Sequence, residues 1–418
     1  MGVLRVGTGR AVLPLTEDCF PTVELFAGQR DENVVRALLL EQDARCLIVS
    51  VEQTSLMPSV LRALREEVIR VSSLPSNSIW ICATHTFSVP HIFEDTSERL
   101  KTDSDRAKNR AMRDALVWAA GEAVEQAVRT LRPASLRVGT AVCNVNVNRD
   151  IQTQDGWWLG ACEEGPSNRT VTTLRFDGTD GSPVAVLFHY DVQSSVMHHV
   201  SDENGNFYMS GDLAGSACRY IETELQSPAI FLCGACGDQA PYFQGMYEIP
   251  MGDGTARTVY HTLEDGFRMT EWQGQKLGQA ALRASYTAVE VEAGSLTQAD
   301  IRFTCPAQRL RPISELRPTR DYDFEPDGET DMGIELIHIG QVALIGIAAE
   351  PTFPLAQALR ERSGQKHTLL CSMVNGAAKY LADSEAYDQC RYAAMNSRFA
   401  RGTGEQMVTN ALALLKVF

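Results

Sequence analysis

Ile79-Trp80-Ile81-Cys82-Ala83-Thr84 runs without a charge into His85. An apolar run of this length, bounded by turn residues, reads as a buried strand, with the imidazole just past its end. Three further stretches repeat the pattern. Val184-Ala185-Val186-Leu187-Phe188 leads into His189, and Val342-Ala343-Leu344-Ile345-Gly346-Ile347 leads to Glu350. The run around Leu369-Leu370-Cys371 leads through a glycine-containing turn to Tyr380. Open α/β sheets place their chemistry just beyond strand ends. Two imidazoles and a carboxylate make a three-ligand zinc site with a position left for water. The pattern predicts a zinc enzyme.

Outward from these stretches, strand-like runs alternate with amphipathic helices. The expected elements are a strand over 45–51, a helix over 57–71, a strand over 78–84 and a long helix over 104–131. An alternating strand, Asn144 to Arg149, precedes a polar loop with Trp157-Trp158. A hairpin follows, from Val171 to Phe176 and from Val184 to Tyr190, around the turn Asp177-Gly178-Thr179-Asp180-Gly181. A helix is expected near 211–225, a strand at 229–233, a helix near 270–288, and an ordered surface connection over 307–330. Ile48 to Thr54 with Ala63-Leu64-Arg65-Glu66 echoes Ile345 to Thr352 with Ala358-Leu359-Arg360-Glu361, suggesting two β-α-β units that end at Glu52 and Glu350. The predicted fold is α/β: layered mixed β-sheets flanked by helices. It forms one domain over 1–418, with a suggestion of pseudo-repeated halves at about 1–140 and 300–418 around a central segment 141–299. The metal site is expected at the strand ends between the halves.

With 418 residues and 44% apolar content the chain can bury a large core. Its net charge of -15 argues against nucleic-acid binding, which neutralises phosphates with basic surface. No apolar run approaches the roughly 20 residues of a membrane span, and the start lacks a signal core, so a cytoplasmic protein is expected. The eleven cysteines are an odd number. Several sit inside apolar strands, where they read as small buried hydrophobes in a reducing compartment. A small-molecule substrate is the expected partner, and a homo-oligomer is compatible with the sequence.

Single residues carry less. A histidine after one strand is more often packed than ligating, whereas a carboxylate at a buried strand end must be paired or ligated. His198-His199 lacks a strand platform and reads as a solvated turn. Cys233-x-x-Cys236 reads as structural thiols, since no second CxxC exists and the context of a redox motif is missing. No Gly-x-Ser-x-Gly elbow supports a serine hydrolase, and Gly7-Thr8-Gly9 is only a fragment of a phosphate loop.

In order and flanking residues these stretches resemble the catalytic, N-terminal domain of the neutral/alkaline non-lysosomal ceramidase family, zinc-dependent amidases. Val6-Gly7-Thr8-Gly9-Arg10-Ala11 is similar to that family's first strand, and Ala83 to Pro90 to its Thr-His-Thr-His-Ser-Gly-Pro motif. Asn148-Arg149 matches an Asn-Arg pair, and Leu174 to His189 the hairpin of the second zinc histidine. Gly237-Asp238-Gln239-Ala240-Pro241 resembles Gly-Asp-Val-Ser-Pro. His338 to Thr352 matches the strand of the zinc glutamate, and Asn375 to Tyr392 the closing segment with the zinc tyrosine.

The resemblance implies His85, His189, Glu350 and Tyr380 as zinc ligands. Departures accompany it. Ala240 stands where the family has its catalytic serine, and Phe87 where it has a second motif histidine, with His91 four residues on. The loops show no conspicuous apolar surface for a sphingolipid. The expectation is therefore a divergent member: a zinc-dependent hydrolase of an amide or related bond in a small polar substrate. Arg149 binds an anionic or carbonyl group, Tyr392 and Trp157 lie along the substrate, and Asp238 or His91 serves as base or orienting partner. The alternatives are a zinc lyase or isomerase acting on a sugar-like or hydroxy-acid substrate, and a non-catalytic binding protein.

Overall fold

Val34, Val35, Ala37, Leu38, Leu39 and Leu40 are each at most 3% exposed, so the strand Val34–Glu41 buries both faces. A strand covered on both sides needs a layer on each. The computed structural model, which describes residues 2–251, 256–292 and 294–416, supplies them.

The larger, nine-stranded sheet runs in the order Ala229–Cys233, Pro183–Tyr190, Thr170–Gly178, Arg132–Val142, Arg5–Val12, Val34–Glu41, Arg45–Val51, Ile79–Ala83, with Val289–Val291 beside Arg132–Val142. A four-stranded sheet orders Leu296–Gln308, Pro326–Ile339, Val342–Ile347 and His367–Cys371. Successive side chains alternate between faces. Thus Leu38, Leu40, Ile48 and Trp80 meet Ile337, Leu344 and Leu369 of the second sheet. The opposite face of the first sheet, with Val35, Ala37, Leu39 and Val49, packs on helices α1 (Pro58–Ser72) and α2 (Asp103–Arg129). Further along that sheet, Val186, Phe188 and Phe231 lie under α3 (Asp212–Leu225) and α4 (Leu263–Tyr286). Ile345 and Leu370 of the second sheet lie under α5 (Phe353–Arg362) and the C-terminal helix Thr403–Leu415. The layers are helix, sheet, sheet, helix, as the predicted α/β class requires. The sheets approach closely at Gly346, where a Cβ would lie 3.0 Å from the Trp80 ring.

Within the two larger sheets, the three parallel strand pairs among the described residues are each joined through a helix: Arg45–Val51 with Ile79–Ala83 through α1, Pro183–Tyr190 with Ala229–Cys233 through α3, and Val342–Ile347 with His367–Cys371 through α5. The first and third are the two units whose sequences echo each other. Their ends carry Glu52, held by Arg36 at 2.6 Å, and Glu350.

Two boundaries differ from the sequence expectation. Helix α4 begins at Leu263, seven residues before the expected start, because Thr262 caps it by accepting from the Asp265 N–H. The supposed connection over 307–330 shrinks to 309–325, because both flanking strands extend into it, Cys305 opposite Thr330, Pro306 opposite Glu329 and Gln308 opposite Pro326. Polar composition hid those strand ends. The cysteines are all free and ten are buried. Burial pushes the Cys46 thiol up to about 12. No described helix is long and apolar enough to cross a membrane.

Candidate active site

His85 follows the strand Ile79–Ala83 in the left-handed region, at φ 57°. That conformation is uncommon outside glycine and is kept only where surrounding contacts enforce it. Both ring nitrogens supply such contacts. Nδ1 lies 2.7 Å from the Thr54 carbonyl oxygen, and Nε2 lies 2.9 Å from Oε2 of Glu350. A carbonyl oxygen can only accept, so Nδ1 carries a hydrogen. Nε2 then faces a carboxylate and must hold either a second proton or a cation. Burial by itself would lower the His85 pKa, but Glu350 outweighs it and raises it to about 9. Burial would raise Glu350, but His85 and then Arg149 hold it below the usual carboxylate range.

Glu350 lies beyond the strand Val342–Ile347, in a two-residue pairing that sets it opposite Tyr380. Its Oε2 also accepts from Nε2 of Gln193 at 3.2 Å. Gln193 is three residues past the strand Pro183–Tyr190, and its Oε1 accepts from Nη1 of Arg149 at 3.3 Å. Arg149 sits on the short strand Asn146–Gln152, which pairs with Gln239–Pro241, and its Nη2 donates to the Gly237 carbonyl at 2.7 Å. The guanidinium lies 5.1 Å from the ring centre of Tyr380 and 5.6 Å from that of Tyr392, while its Nε finds no partner among the described residues. Burial keeps both tyrosine hydroxyls protonated, against the pull of Arg149. Cys236 closes the group from the loop after Ala229–Cys233. Ligand atoms of His85, Cys236 and Glu350 lie within 4.8 Å of one another, and all three residues are buried. An anchored imidazole, a carboxylate and a thiol form a donor set that suits a divalent cation such as zinc.

Of the four ligands implied by the resemblance, His85, Glu350 and Tyr380 converge. His189 does not join them. It lies inside the strand rather than beyond it, with Nε2 2.9 Å from the Leu370 carbonyl and 3.7 Å from Asp191. Gly234 packs directly over this pair; a Cβ there would meet Asp191 at 1.9 Å and the His189 ring at 2.8 Å. Gln193 occupies the strand-end position instead.

The remaining expected residues divide. Arg149 and Tyr392 are at the centre. Asp238 is buried beside them, but its Oδ1 accepts from the Phe353 N–H at 2.9 Å and so seats the first turn of α5. Burial, together with Asp150, pushes its pKa up to about 7. His91 turns away: its backbone N–H and Nδ1 both engage Glu24, at 2.7 and 3.1 Å. Trp157 lies under Arg391, 4.7 Å from the guanidinium, whereas its neighbour Trp158 meets the Tyr392 ring edge-on at 5.5 Å. Ala240 stands opposite Val147 with only a methyl group to offer.

Phe87 fills the space between His85 and His198, with ring centres 4.8 and 4.7 Å away. The turn at 198–199 is therefore solvated only in part. His199 is exposed, while His198 is half-buried, and burial with His199 and Arg149 pushes its pKa down to about 3. The loops also carry more apolar surface than expected. Phe243, Tyr247, Ile249, Met251 and Tyr260 are exposed around the hairpin of Met246–Pro250 and Ala256–Tyr260, which packs beside the strand Trp157–Cys162.

Sequence reasoning missed Gln193 and Cys236. An offset signal was present for the first: His85 and Glu350 lie two and three residues past their strands, and Gln193 lies three past its own. An amide is not a usual zinc ligand, so residue type drew attention to His189.

The layered sheets and the strand-end site define a neutral-ceramidase-like fold. Two solved structures share it over nearly the whole chain. The neutral ceramidase from Pseudomonas aeruginosa superimposes with a TM-score of 0.76 at 18% identity, covering 100% of this chain and 75% of that one. A ceramidase complexed with C2 superimposes with a TM-score of 0.73 at 17% identity, covering 99% and 74%. No family model and no curated protein sequence matches the chain.

Proposed function

We propose that the protein is a metal-dependent hydrolase of an amide or related bond in a small polar substrate. The observation that carries this reading is the convergence of His85, Glu350 and Tyr380 at strand ends with Arg149 beside them, within a fold shared along the full chain with neutral ceramidases. Zinc, held by His85 and Glu350 with Tyr380 at the edge, would lower the pKa of its water to about 7 and so provide hydroxide without a serine. The chain's own groups do the rest. Arg149 is a fixed cation with a free Nε, suited to the carbonyl oxygen or a carboxylate of the substrate. Tyr392, protonated, offers a hydrogen bond next to it. Gln193 holds the Glu350 carboxylate, and Asp238 positions α5 behind it.

A second reading has its own support. The exposed apolar hairpin next to Trp157–Cys162 favours an amide with a long hydrocarbon arm. Zinc-loaded protein assayed on short N-acyl amino acids and on a fluorescent long-chain ceramide separates the two. Turnover of the short amides alone, lost in Glu350→Gln, is the expected result. Efficient ceramide cleavage would replace the polar substrate with a lipid one, and inertness toward both would overturn the hydrolase.

A further inference from the structure

Among the described residues no second imidazole joins the group around Glu350, and the side chain at the strand end where one was expected cannot replace it. Both polar atoms of Gln193 are committed, Nε2 to Glu350 and Oε1 to Arg149. A sulfur atom is close instead. Cys236 is fully buried in the loop between Ala229–Cys233 and Gln239–Pro241, and its Sγ lies within 4.8 Å of ligand atoms of both His85 and Glu350.

We propose that Cys236 is a metal ligand, completing with His85 and Glu350 a nitrogen, sulfur and oxygen site for a thiophilic divalent cation such as zinc. The proposal deepens the metal-dependent reading above and rests on it. Three observations carry it. The donors come from three different strand ends, so the fold, and not a local loop, brings them together. The Nδ1 of His85 is anchored on the Thr54 carbonyl, which leaves Nε2 as the nitrogen facing the other two donors. The other thiol of the pair is not among the converging donors: Cys233 donates to the Val192 carbonyl at 3.3 Å and otherwise lies against the Cys236 thiol. Bond lengths of about 2.0–2.3 Å set tetrahedral ligand separations of about 3.3–3.6 Å. The donor atoms lie within 4.8 Å of one another, so binding an ion needs closure of the longest separation by no more than about 1 Å. On binding, the thiol proton leaves to solvent and the thiolate sulfur bonds the ion; no oxidation state changes.

The test uses the full chain, stripped with a chelator and titrated with Co²⁺ and then with Zn²⁺. The expected result is one ion per chain and an intense thiolate-to-cobalt charge-transfer band in the near ultraviolet. That band should vanish in Cys236→Ser and in His85→Ala and persist in Cys233→Ser. Zinc affinity in Cys236→Ser should fall by more than the roughly 10–100-fold that losing a residue supporting a ligand costs. The wild-type band is measured whether or not any variant folds, and Cys236→Ala repeats the test with a different replacement. Cobalt bound without the band, with unchanged zinc affinity in Cys236→Ser, would overturn the cysteine ligand and leave the metal-dependent reading standing. Wild-type protein that binds neither ion would overturn both.

Discussion

Replacing Asp238 by Asn separates a catalytic carboxylate from one that seats a helix. The Asp238 carboxyl, buried and near Asp150, has a pKa of about 7 in the folded chain against an ordinary value of 3.8. Between those limits the folded state holds a proton that the unfolded state has released, so stability falls as pH rises through the window and levels off above about 7. Each pH unit costs about 1.4 kcal/mol, which puts an upper bound of about 4 kcal/mol on the penalty at pH 8. Asn carries no such penalty, and its Oδ1 can still accept from the Phe353 N–H. Its amide meets Asn148 Nδ2, a donor 3.4 Å from the present carboxylate, at a cost of about 1 kcal/mol. Urea denaturation of both proteins at pH 5 and pH 8 should show Asp238→Asn gaining about 2–3 kcal/mol on the wild type between the two. A difference that does not change with pH refutes the buried, proton-holding carboxyl. A stably folded variant whose rate drops by about 10²–10⁴ refutes the seating role and makes Asp238 the general acid or base.

Other outcomes follow from the same geometry. His198→Gln should flatten the acid side of the stability curve. The folded pKa of about 3 lies below the ordinary 6.5, so the wild type loses stability as pH falls below 6.5; parallel melting curves from pH 7 to 5 for the two proteins would contradict this. His91→Ala should leave the rate per folded molecule unchanged, because His91 engages Glu24 and not the site; a loss of 100-fold or more, on the scale of an acid–base group, would return it to the mechanism. Arg36→Met strands Glu52 and Glu222, both within 2.6 Å of the guanidinium, and should cost about 3–5 kcal/mol in chemical denaturation. A cost below about 1 kcal/mol would mean that water or relaxation replaces the pair.

Much of the architecture is written locally. The apolar runs at 45–51, 79–83, 183–190, 229–233 and 342–347 are strands because their side chains are buried on both faces, and a residue's hydrophobicity reports that directly. The ends of those runs marked His85 and Glu350 in the same way. His189 and Gln193 show where local reading stops. They are four residues apart on one strand and its exit, and the pleat sends His189 between the sheets, onto the Leu370 carbonyl, while the chain beyond Tyr190 carries Gln193 to Glu350. Which of the two reaches the site depends on where the parallel pairing with Ala229–Cys233 stops, and that is a property of two strands and not of one. Cys236 was present in the sequence as half of a short motif. Its meaning came from neighbours 151 and 114 positions away, His85 and Glu350. Burial patterns are encoded residue by residue, but the meeting of donor atoms from separate strand ends is set by sheet packing, and only the folded chain decides it.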